Sequence, residues 1–180
     1  MGRAQERTRH QIITAFLDLL AEQYFDTISV SKVSDASFVT RSTFYRYFKD
    51  KNDLLFNAIE STISQSVPDQ ALMNQFVNYV EAYWPLLRHL SPSRQSRSNL
   101  NDILNQILWD MVHRRVKETP TDTDPMIQLM VTAEHPDLMI SVVEGMMMGV
   151  MEYYVQNDVE KIDKQELEDT MSDIVGKLTK

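Results

Sequence analysis

Apolar residues recur at intervals of three and four along most of the chain, the spacing that gives an α-helix one buried face. Ile12, Ile13, Phe16, Leu17 and Leu20 predict a first helix. Val30, Val33 and Ala36 predict a short second one, leaving Ser31, Lys32 and Asp35 outward. After a polar break, Thr40 is placed to cap a third helix by accepting a backbone N–H bond, with Phe44 and Phe48 on its inner face. Asp50-Lys-Asn-Asp53 has the form of a capping box and opens a fourth helix through Leu54, Leu55, Ile59 and Ile63. Val67-Pro68-Asp69 then marks a boundary, because the residue before a proline avoids helical geometry.

The pattern resumes at Gln70 with Leu72, Met73, Phe76, Val77 and Val80, and Pro85 is expected to break or kink that helix. Ser91 to Ser98 is polar and reads as a loop. Asn99 to Lys117 carries the most regular stripe: Leu100, Ile103, Leu104, Ile107, Leu108, Met111 and Val112. A loop over Thr119 to Pro125 and a short helix over Met126 to Ala133 follow. Pro136 suits the first turn of a long helix reaching about Tyr154. That helix is apolar nearly all round and must bury both sides, while Glu144 and Glu152 interrupt a run read as too short to cross a bilayer. Asp163-Lys-Gln-Glu166 opens a last helix through Leu167, Met171, Ile174, Val175 and Leu178. The expected fold is all-α: a three-helix head over 1–50, a connecting helix over 51–67, and a helical domain over 68–180.

The third helix carries the chemistry. Its outer face holds Arg41, Ser42, Tyr45 and Arg46, flanked by Thr43, Tyr47, Lys49 and Lys51. Hydroxyls and cations so arranged suit phosphate oxygens and base edges in a major groove, and mark the recognition helix of a helix-turn-helix. A merely solvated helix would not need Tyr45 and Tyr47 among its exposed cations.

These residues resemble the N-terminal domain of the TetR (tetracycline repressor) family of bacterial transcription regulators. The likeness runs through Phe25-Asp-Thr-Ile-Ser-Val, Val33 and Ala36, Thr40-Arg-Ser-Thr-Phe-Tyr-Arg-Tyr-Phe and Lys49-Asp-Lys-Asn-Asp-Leu-Leu, and covers about the first third of the chain. The resemblance implies a repressor that binds double-stranded DNA as a homodimer and is released by a small-molecule effector, with Lys51 on a phosphate. Two departures stand out: Tyr24 and Phe38 occupy positions where the family usually has glycine.

Charge refines this picture. The net charge is −8, yet residues 1–60 hold eight Arg/Lys against eight Asp/Glu, so the acidity lies wholly in residues 61–180. An acidic body would repel DNA except where the head docks. There are no cysteines, which excludes disulfides and thiol chemistry and fits a reducing cytoplasm. The N-terminus shows no signal-type apolar run, so the expected location is cytoplasmic. His10, His89, His113 and His135 lack metal-ligand spacing, and no phosphate loop or nucleophile elbow is present; no cofactor, metal or enzymatic activity is expected.

On this reading Arg41 and Ser42 meet base edges, with Ser31 joining from the second helix. Ser29, Thr43, Tyr45, Tyr47 and Lys51 hold phosphates, Arg46 does either, and Thr40 sits at the edge of the contact. Arg3, Arg7 and Arg9 either reach DNA or merely solubilise the terminus. Phe76, Tyr79, Tyr83, Trp84, Trp109, Met111 and Met147 are either plain core or the lining of an effector pocket. Val142, Gly145, Met146, Gly149, Tyr153, Met171 and Ile174 are candidates for a four-helix dimer interface. A second class of function remains open, a partner-binding adaptor that has stopped reading DNA, supported only by Tyr24 and Phe38.

Overall fold

A computed structural model describes residues 2–63, 71–90, 99–118 and 123–179, and every regular element among them is helical. α1 (Arg3–Glu22) buries Ile12, Ile13, Phe16 and Leu20, as its spacing requires. A single 3₁₀ turn over Phe25–Thr27 leads to α2 (Val30–Ala36), α3 (Arg41–Tyr47) and α4 (Lys51–Ile63). Local chemistry sets each start. Ser29 Oγ accepts the Lys32 N–H at 3.2 Å and Thr40 Oγ1 accepts that of Thr43 at 3.1 Å. Asp50 Oδ1 accepts from Asn52 and Asp53 at 2.8 and 2.9 Å, while the Asp53 carboxylate reaches back to the Lys49 N–H at 2.8 Å.

α1 packs on α2 and α4, and α2 on α3. Phe44 and Phe48 lie fully inside, 5.8 Å apart, and Phe16 meets Phe25 edge-on at 6.2 Å. The expected stripe on α2 is only partly right. Val33 is buried, but Val30 is half-buried and Ala36 exposed; Ser34 and Ser37 take the inner positions. Ser37 does so with its hydroxyl satisfied locally, Oγ donating to the Val33 carbonyl at 2.6 Å; the buried Ser34 Oγ has no hydrogen-bond partner among the described residues.

The turn between α2 and α3 keeps a left-handed residue without a glycine. Phe38 has φ 53° and is 90% exposed, its ring bordering a surface groove of 530 Å³ lined by α1 residues including Gln11, Thr14 and Asp18. Tyr24, the other departure, has φ −59° and bears no such strain. A left-handed L-residue costs about 1–2 kcal/mol, and a glycine returns about 0.5–1 kcal/mol of that as unfolded-state entropy. Phe38→Gly is therefore expected to stabilise the protein by about 0.5–1 kcal/mol, read as a rise in thermal midpoint. An unchanged or lower midpoint would mean that the ring makes contacts worth the strain.

The chain forms two compact units, Met1–Gln65 with Pro85–Ile103, and Ser66–Trp84 with Leu104–Lys180. Residues 85–103, assigned from the sequence to the C-terminal domain, thus join the head. Leu86, Leu87 and Leu90 are buried, the Phe25 N–H donates to the His89 carbonyl at 3.2 Å, and His89 Nδ1 lies 2.9 Å from the Leu20 carbonyl. Pro85 does not break its helix: α5 runs Leu72–Leu87, because burial of Trp84, Leu86 and Leu87 on either side of it outweighs one missing N–H bond. The boundary expected at 67–69, the loop at 91–98 and most of the loop at 119–125 lie outside the described residues.

The second unit contains most of α5 and of α6 (Asn99–Glu118), then α7 (Pro125–Val131), α8 (Pro136–Gln156) and α9 (Lys164–Leu178). Asp124, itself buried, accepts from the Met126 and Ile127 N–H groups at the start of α7 and from the Leu72 N–H at the start of α5. Trp84 packs edge-on against Tyr154, and its indole N–H donates to the Val159 carbonyl at 2.9 Å. Asp163 caps α9 by accepting the Glu166 N–H at 3.2 Å, and Lys164 pairs with Glu81 at 3.0 Å. At 21 residues α8 is, by length and composition, long and apolar enough to cross a membrane, which corrects the shorter run read from the sequence. Its inner face of Ile140, Val143 and Met147 is nonetheless buried within the unit, where α7 packs on it.

Candidate nucleic-acid interface

α3 divides cleanly into an anchor and a reading face. Phe44 is fully buried, whereas Arg41, Ser42, Tyr45 and Arg46 are exposed, with Thr43 and Tyr47 half-buried at the edges. Tyr45 is 57% exposed, but its ring stands edge-on to Phe44 at 5.3 Å, so the core steadies the ring while the hydroxyl remains accessible. The Arg46 guanidinium lies over the Tyr47 ring at 5.3 Å. Thr40 and Thr43 hydroxyls sit 3.0 Å apart at the start of the helix. No carboxylate lies on α3, so nothing on it opposes an anion.

The flanking residues are more committed than their types suggest. Ser29 is exposed and its Oγ is engaged as the cap of α2; Ser31 is half-buried. Lys32, which the sequence reading left out of the contact, donates to Gln23 Oε1 at 2.9 Å and the Thr27 carbonyl at 3.0 Å. Lys51, expected on a phosphate, is engaged within the head. Its ammonium donates to the Phe25 carbonyl at 2.6 Å and lies 4.0 Å from the centre of the Phe25 ring, tying the start of α4 to the 3₁₀ turn. Arg9 likewise turns inward, bonded to Asn57 and over the Phe48 ring, while Arg3 and Arg7 stay exposed.

The residues named for an effector pocket all belong to the second unit. Phe76, Trp84 and Met147 are buried; Tyr79, Tyr83, Trp109 and Met111 are half-buried. Tyr79 and Tyr83 meet at 4.8 Å, and Trp109 stacks on His113 at 4.2 Å. Of the dimer candidates, Val142, Gly145, Gly149 and Tyr153 form an exposed line on α8, and the space above both glycines is open. Met146 and Ile174 are half-buried. Met171 is a correction: it is core, because with Leu167 four residues earlier it forms the buried side of α9. Leu138 and Leu178 are exposed and were missed, although Leu138 stands four residues before Val142 and so continues the same line. Among the described residues, no three His, Cys, Asp or Glu side chains cluster as a metal site would require.

A family model described as bacterial regulatory proteins, tetR family, matches residues 12–58, from the buried part of α1 through α3 into α4. Over that stretch the chain is similar to the TetR family. The HTH-type transcriptional regulator HbdR of Aromatoleum sp. (strain CIB) is 35% identical over 68 residues, which span 36% of this chain and 30% of that relative. The fold extends the likeness beyond the head. A putative TetR-family transcriptional regulator from Syntrophomonas wolfei matches at TM-score 0.65 and 20% identity over 97% of this chain and 95% of that one. The fatty acid degradation regulator FadR from Bacillus halodurans matches at TM-score 0.60 and 20% identity over 98% and 96%. Each of these relatives is described as a regulator.

Proposed function

We propose that this chain is a TetR-like, cytoplasmic, homodimeric DNA-binding regulator, a repressor that a small molecule releases from its operator. The observation that carries the proposal is the exposed, carboxylate-free face of α3, steadied from beneath by Phe44 and Phe48. Arg41 and Ser42 would meet base edges, joined by Ser31; Ser29, Thr40, Thr43, Tyr45 and Tyr47 would hold the backbone, and Arg46 either. The exposed line of Leu138, Val142, Gly145, Gly149 and Tyr153 supports a helix-to-helix dimer contact, the glycines allowing close approach. Two heads would then lie in successive major grooves about 34–36 Å apart. The aromatic and thioether residues of the second unit support an effector site there.

Selection of bound duplexes from a random pool, followed by anisotropy at two salt concentrations, tests the proposal. A two-fold symmetric sequence bound by a dimer is the expected result. Binding that is weak, salt-sensitive and indifferent to sequence would instead favour the adaptor reading, for which the exposed Phe38 at the head's surface speaks.

A further inference from the structure

α1 turns to solvent a face whose charges are sorted by sign. Arg3, Arg7, Gln11, Thr14, Asp18 and Glu22 are all exposed and recur every three or four residues, so they lie within about 100° of arc, opposite the buried Ile12, Phe16 and Leu20. Cations hold the first half and carboxylates the second. This order opposes the helix's own dipole, which favours carboxylates at the start and cations at the end. It also sets like charges four residues apart, Arg3 before Arg7 and Asp18 before Glu22, where they repel along the helix. Among the described residues none of these four charged groups has an ion-pair or hydrogen-bond partner.

Phe38 stands beside the middle of that face. The Gln11 amide donates to the carbonyl of the preceding residue, Ser37, at 2.7 Å, and the Phe38 ring borders the 530 Å³ groove together with the half-buried Ala15 and Leu19. A second open groove, of 650 Å³, continues past His10 and Gln11 to Arg7 and Arg3. A ring 90% exposed on a left-handed residue is costly twice over, in hydration and in backbone strain. A merely solvated face would require neither the ring nor the sorting of charge.

The pattern is self-complementary. A two-fold axis crossing α1 between Ile12 and Ile13 sets Arg3 against Glu22 of a second copy, Arg7 against Asp18 and Gln11 against Thr14, and every pair recurs on the other side of the axis. We infer that the outward face of α1, with Phe38, docks the same face of a second copy of this chain, the two helices antiparallel. Exposed ion pairs contribute little one at a time; here they fix register and direction, while the two Phe38 rings beside the axis supply apolar area. The contact is separate from the line on α8, so it joins molecules whether or not α8 has already paired them.

Sedimentation equilibrium of the full chain at low salt and without DNA reads the association, so the result stands apart from operator reading. Wild type is expected to reach twice the mass of Arg7→Asp or Asp18→Arg, whatever state each variant itself holds, and to lose that doubling at high salt. Each variant gives both sides of its own contact one sign. Mixed, the two variants are complementary again, and the doubled mass is expected to return. Neither substitution opposes the dipole of α1, so thermal melts should show both variants folded. Phe38→Gly is expected to weaken the doubling at least tenfold with the fold intact. Wild type at the variants' mass at every concentration, a mixture that stays apart, or Phe38→Gly associating as wild type does would each overturn the inference. An unchanged mass for Arg7→Asp beside weakened duplex binding would do the same, and would assign the arginines of this face to DNA.

Discussion

Asp124→Ala is expected to lower the thermal midpoint by about 6–12 °C, the equivalent of about 3 kcal/mol in a chain of this size. One side chain performs two jobs. Its Oδ1 accepts from Met126 at 2.8 Å and Ile127 at 3.4 Å, capping α7, and its Oδ2 accepts from Leu72, at the first residue of α5. Losing an N-cap costs about 1 kcal/mol, and a buried N–H left without an acceptor costs about 1–3 kcal/mol more. Asp124→Asn keeps one acceptor oxygen and should lose roughly half as much. Calorimetric melts of the three proteins measure the difference. A fall of under about 2 °C for alanine would mean that water replaces the carboxylate, and that the tie between α5 and α7 contributes little.

The second large effect concerns DNA. Arg41→Ala should narrow the gap between the selected operator and a random duplex by about 1–3 kcal/mol, the worth of one bidentate contact to a guanine edge. Lys51→Ala should behave differently. Its ammonium is bonded to the Phe25 carbonyl and lies over that ring, so the loss falls first on stability, by about 1–2 kcal/mol, with discrimination between duplexes unchanged. Anisotropy on both duplexes beside a melt of each variant separates these outcomes. If Lys51→Ala weakened binding to every duplex without moving the melt, the ammonium would have to leave Phe25 for a phosphate when DNA arrives.

What could be read from the sequence was what is decided within one helix. The caps at Thr40, Asp50 and Asp163 involve residues two to three apart, and Pro136 marks the first turn of α8. Arg41, Ser42, Tyr45 and Arg46 share a face through helical spacing alone. Contacts that join distant stretches left no such trace. Asp124 meets Leu72 across 52 positions, His89 meets Leu20 across 69, and Lys51 meets Phe25 across 26. For that reason a buried cap looked like loop, and the tie of Lys51 to Phe25 could not be read from the sequence. Met171 and Ile174 were equally apolar, and only the packing of Leu167 settled which side of α9 goes inside. At Pro85 the local rule was sound but outweighed, since a helix flanked by buried leucines can lose one hydrogen bond and continue. Phe38 shows the converse: the resemblance marked its position as one usually held by glycine, and the backbone kept the left-handed turn regardless.

The bond from Phe25 to the His89 carbonyl also has a consequence for how this chain comes into being. A reading head complete at residue 50 or 65 could finish on the ribosome before the rest emerged. This one cannot, because Leu86, Leu87 and Leu90 belong to its own unit and arrive only after the first half of α5 has been made. Synthesis from the N-terminus would therefore leave α1 to α4 waiting, with the C-terminal end of α1 uncovered, until residue 90 returns to close it. A fragment cut after α4 would inherit the same vacancy permanently, and a soluble, isolated reading head should need residues 85–90 supplied on the same chain.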